Sequence, residues 1–85
     1  MKLEIYALRD SATDQYGNPM FLVSTGHVLR VISDEVNKEG SDNQLARHPS
    51  DFELFSLGTF DTQTGLFDTG VPKSVMLCKD LVLKK

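Results

Sequence analysis

HPSDFELFSLGTFDTQTG, residues 48–65, is the stretch on which the fold turns. His48 and Pro49 bring the chain out of a polar segment. Phe52, Leu54, Gly58 and Phe60 then share one strand parity, with Phe55 and Leu57 on the other. Such a strand is buried on one side and partly covered on the second. DTQTG, residues 61–65, has hairpin-loop chemistry, with Gly65 able to take φ > 0, and Leu66 and Phe67 begin the return strand.

Working outward, KLEIYALR (2–9) alternates Leu3, Ile5 and Ala7 against Glu4, Tyr6 and Leu8, the pattern of a first strand. DSATDQYGNP (10–19) is rich in turn formers, Gly17, Asn18 and Pro19 above all. MFLV (20–23) follows as a short second strand. From Ser24 the period changes to that of a helix. Thr25, Val28, Leu29, Ile32 and Val36 fall on one face, and Arg30, Asp34, Asn37 and Lys38 lie off it. A helix over 25–38 is expected, with Ser24 as N-cap, Lys38 in the last turn and Gly40 as the stop. EGSDNQ (39–44) reads as a loop. Past TGVP, the run Val75, Met76, Leu77, Leu81, Val82, Leu83 fits either a short helix opened by Pro72 or a final strand. A short helical turn followed by an extended tail is the reading adopted for this C-terminal segment, residues 71–85.

The chain of 85 residues is long enough for one modest core, so residues 1–85 are read as a single domain. The expected class is α+β: a small antiparallel sheet of about four strands covered by one amphipathic helix. A single cysteine, Cys78, excludes an internal disulfide, which leaves self-association through a sheet face or edge as the expected reinforcement. No signal-peptide pattern and no run of roughly 18 apolar residues is present, so a cytoplasmic protein without a membrane span is expected.

Catalytic patterns are thin. DTG (68–70) is the triplet of small proteases that dimerise to pair two aspartates, but only fifteen residues follow Gly70, and a hairpin end explains it. His27, His48 and Cys78 do not stand at metal-ligand spacings. Nucleophile elbow, phosphate loop and dinucleotide-binding glycine run are all missing, so no enzyme activity, cofactor or metal is expected. Recognition is left to aromatic residues. Tyr6 and Phe55 sit opposite the better core parity, where rings on a sheet can stack bases. Lys2, Arg9 and Arg47 are able to flank such a platform, and an oligomer that lined up Lys2, Arg9, Arg30, Arg47, Lys84 and Lys85 along one groove could hold a single strand. The simpler reading, and the favoured one, is that Tyr6 and Phe55 cover a second hydrophobic layer or an oligomer interface. The net charge of −3 disfavours tight nonspecific DNA binding by a monomer.

MKLEIYALRD (1–10), LRVISDEVN (29–37) and HPSDFELFSLGTFDTQTG (48–65) together resemble the small nonstructural protein of the Microviridae, in the gokushovirus-like branch of single-stranded DNA phages. The residues carrying the resemblance are His48-Pro49, Asp51-Phe52, Leu54, Gly58, Phe60-Asp61 and Thr64-Gly65, with Arg30, Ser33-Asp34 and Asn37 in support. The resemblance implies a protein of the host bacterial cytoplasm that is absent from the mature virion. It also implies a noncatalytic single-stranded DNA-binding factor acting in viral strand synthesis or at the switch from replication to packaging. A protein-binding adaptor of the phage replication or capsid assembly complex, without direct DNA contact, is the alternative.

Overall fold

The computed structural model describes residues 1–38 and 43–83. Its strands are β1 (Lys2–Asp10), β2 (Gln15–Tyr16), β3 (Met20–Leu22), β4 (Phe52–Asp61) and β5 (Phe67–Leu77), and its helices are α1 (Thr25–Val36) and the single turn α2 (Gln44–Arg47). The class is α+β as expected, with one main helix over an antiparallel sheet. The sheet has five strands, in the order β2-β1-β4-β5 with β3 also on β1. The extra strand comes from the 10–19 segment. The chain turns at 11–14, where Asp14 takes φ 58°, then β2 and β3 pair with successive parts of β1. Gly17 to Pro19 separate β2 from β3 along that edge.

One face of the sheet holds the core. Val28, Ile32 and Val36 of α1 pack with Tyr6, Leu54, Leu45 and Cys78, and Leu8, Met20, Leu22, Phe52, Val75 and Leu81 close around them. α1 starts where its cap predicts, with the Ser24 hydroxyl accepting from the His27 N–H at 3.1 Å. It ends at Asn37, earlier than expected, so Lys38 lies beyond the last turn; Gly40, the expected stop, is outside the described residues. Asn37 ends the helix by turning its amide to other partners. Its Nδ2 donates to the Ser33 and Leu81 carbonyls at 2.8 and 2.9 Å, and its Oδ1 accepts from the Leu83 N–H at 2.8 Å.

The C-terminal segment corrects the reading adopted from sequence. β5 continues through Pro72 to Leu77, and only then does a 3-10 turn form at Cys78–Leu81. Pro72 survives because β5 is an edge strand, where a missing N–H need cost no ladder bond.

The second correction concerns parity in β4. Tyr6 pairs with Ser56 and Ile5 with Gly58, so Leu57 is an extra residue without a partner on β1. This bulge carries the rest of β4 to the other face. Phe52 and Leu54 face α1, whereas Gly58 and Phe60 share the helix-free face with Phe55.

Candidate nucleic-acid interface

The helix-free face is made by the odd residues of β1 and their partners across the ladders. Ile5 stands between Phe21 and Gly58, Ala7 beside Phe55, Leu3 beside Phe60, and Arg9 between Tyr16 and Glu53. Ile5 and Ala7 are buried although no helix covers them, because the larger rings around them close over the small positions. Phe67, the β5 partner of Phe60, completes the row.

The rings fall into two groups. At one end Phe21, Phe60 and Phe67 touch one another, with centroids 4.8 Å apart for Phe60 and Phe67, 6.1 Å for Phe21 and Phe60 and 6.3 Å for Phe21 and Phe67. At the other, Tyr16 meets Phe55 edge to face at 5.5 Å. Edge-to-face packing holds each ring at a fixed tilt while leaving faces open to a further partner. Tyr16 and Phe21 are each 45% exposed and Phe67 is 61% exposed.

Only some of the residues expected at a binding surface meet there. Phe55 and Arg9 do. Tyr6 does not: its ring is 2% exposed in the core, on the face covered by α1. The parity argument fails there because the helix packs on the Glu4, Tyr6, Leu8 side of β1. The Tyr6 hydroxyl instead belongs to a closed triangle that pins the start of α1 to β1. It donates to Glu4 Oε1 at 2.5 Å and lies 2.7 Å from Thr25 Oγ1, which donates to the same carboxylate at 3.1 Å. Burial, reinforced by the bond to Glu4, raises the phenol above its ordinary pKa. Arg30 is exposed on α1 two residues from buried Val28, hence on the outer side of the helix layer. Arg47 closes α2 in that same layer, ahead of the 3-10 turn Pro49–Asp51 that leads into β4. Lys2 lies at the opposite end of the sheet from Arg9, paired in register with Asp61. Lys84 and Lys85 lie outside the described residues.

The electrostatics of the face are therefore sparse. Arg9 is ion-paired with Asp14, whose carboxylate is 79% exposed and free to give way to a competing anion. Glu53, beside Arg9, accepts from the Ser74 hydroxyl. Asp68 of the DTG triplet is exposed in β5 opposite Thr59, not in a protected site of the kind paired carboxylates need. Among the described residues no group of three or more His, Cys, Asp or Glu side chains gathers to hold a metal ion, and no helix is long and apolar enough to cross a membrane.

Sequence reasoning missed Tyr16, Phe21, Phe60 and Phe67. A glycine inside a strand was the signal for Phe60, since it often marks a bulge and hence a parity change. Phe60 and Phe67 flank the DTQTG loop almost symmetrically, which already makes them a cross-strand pair.

The domain is thus α+β, with one sheet face under a helix and the other left as a surface of rings. Residues 3–81 match the family model described as Phage ORF5 protein, and the chain belongs to that family. It is a phage protein. No curated protein and no solved structure matches it.

Proposed function

We propose that this is the small nonstructural protein of a gokushovirus-like member of the Microviridae. In this reading it is a noncatalytic factor that holds single-stranded DNA during viral strand synthesis or at the switch to packaging, in the host cytoplasm and not in the virion. The observation that carries it is the Tyr16–Phe55 pair on the helix-free face with Arg9 beside it. Bases stacked on such rings gain about 1 to 3 kcal/mol each without regard to sequence. The Arg9 guanidinium supplies the nearest charge for a phosphate, and release of the exposed Asp14 carboxylate accompanies that contact.

A second reading has its own support. Arg30 and Arg47 stand in the helix layer, and the cations nearest the rings, Arg9 and Lys2, each have a carboxylate at hand. A face this apolar and this poor in free cations also suits an adaptor of the replication or capsid assembly complex, which touches protein and not DNA. Titration of a labelled oligothymidylate at several salt concentrations separates the two. The first reading expects binding that weakens with salt at a log–log slope of about −0.7 per phosphate contacted, and that Tyr16→Ala or Arg9→Ala lowers. Absence of binding at low salt leaves the adaptor.

A further inference from the structure

We propose that the three-ring end of the helix-free face is the docking surface for a second copy of this chain. Met1, Leu3, Phe21, Val23, Phe60 and Phe67 make this end. Met1, Phe21, Val23 and Phe67 are exposed although all are large and apolar. No charged side chain lies among them on that face; the charges at the rim are Lys2 and Asp61, cross-strand partners of opposite sign, and the Met1 ammonium, 3.9 Å from the Asp61 carboxylate. A phosphate meets there only Lys2 and the Met1 ammonium, both already set against the Asp61 carboxylate. A two-fold copy, by contrast, sets apolar surface on apolar surface and opposes no block of like charge.

Both edges of the sheet are poorly suited to association. β5 bulges at Gly70 to Pro72, where three residues stand against Leu57 alone, and Pro72 has no N–H to offer a further strand. The opposite edge is divided into β2 and β3, of two and three residues. A face remains, and the chain has reason to cover it. Its core is small, its one cysteine is free, and domains of this size gain stability by oligomerising.

Area sets the size class of the interface. From strand rise and spacing, the apolar half of the face measures on the order of 15 by 20 Å before the rings stand off it. That is below the roughly 800 Å² per partner of a standard stable interface. The dimer is accordingly weak and concentration-dependent, with the Tyr16–Phe55 end of each subunit left open; it does not depend on what that end binds.

Sedimentation velocity of the full chain from about 5 to 500 µM, the span in which an interface below standard size dissociates, tests this. Wild type is expected to pass from monomer to dimer across the series. Phe67→Lys and Val23→Lys, both at exposed positions and checked for an unchanged far-ultraviolet spectrum, are expected to raise the dissociation constant at least tenfold. Tyr16→Ala leaves it unchanged. A wild-type monomer at every concentration overturns the proposal, as does a dimer that both lysine variants leave intact. If Phe67→Lys leaves sedimentation unchanged and abolishes oligothymidylate binding, the patch belongs to the nucleic acid and the proposal also fails.

Discussion

Gly58 and Asp68 approach so closely across the β4–β5 ladder that a Cβ on Gly58 would stand 2.2 Å from the Asp68 carbonyl oxygen and 2.8 Å from the Thr69 Cα. The glycine also holds φ 137°, a conformation L side chains rarely adopt. This contact lies one residue past the bulge that turns Phe60 onto the helix-free face. Gly58→Ala is expected to cost about 2 to 4 kcal/mol in urea unfolding, combining backbone strain with the clash. Fluorescence or circular dichroism melts measure it, and a loss below about 0.5 kcal/mol contradicts the account, being the size of an ordinary surface change.

Tyr6 and Tyr16 are expected to behave as opposites. Tyr6→Phe removes the hydroxyl from the Glu4–Thr25 triangle and costs about 1 to 2 kcal/mol. Tyr16→Ala, half exposed on the sheet, changes stability by less than about 1 kcal/mol while lowering oligothymidylate affinity. Paired denaturation curves check the contrast.

Asn37 is expected to govern the C-terminal segment. Asn37→Ala removes its bonds to the Leu81 carbonyl and the Leu83 N–H together. Hydrogen exchange is then expected to speed up over 78–83 while the amides of β1 and β4 remain the slowest in the chain.

Cys78 is buried, and burial, with a smaller contribution from Glu53, pushes its thiol up to about 11. It therefore stays protonated and inert toward a disulfide-exchange reagent at pH 8 until the chain unfolds. Because the folded state holds this proton more tightly than the unfolded one, stability is unaffected at neutral pH and falls as pH rises from about 9 towards 11. A thiol that reacts as fast in the folded as in the denatured protein contradicts this.

The helix and the hairpin were legible because their signals are local. Ser24 capped α1 as its type and spacing required, and Gly65 took φ 74° in the loop where positive φ was needed. What misled was information that lies in pairing. Alternation in β1 does not say which parity α1 will cover, and Tyr6 went to the core. The Leu57 bulge is set by the ladder with β1, so Phe60 changed face without any change in its own alternation. β5 read ambiguously past Pro72 because an edge strand tolerates proline and carries exposed residues, which leaves little periodicity to see. The Tyr16–Phe55 contact spans β1 and joins residues 39 positions apart, beyond any local pattern.

The most direct test of the proposed DNA contact is a set of amide and aromatic NMR shifts recorded as oligothymidylate is added at low salt. The account predicts shifts concentrated at Arg9, Tyr16, Glu53, Phe55 and Ser74, with Arg30 and Arg47 in the helix layer undisturbed. Shifts gathered on α1 and α2, or none at any concentration, contradict it.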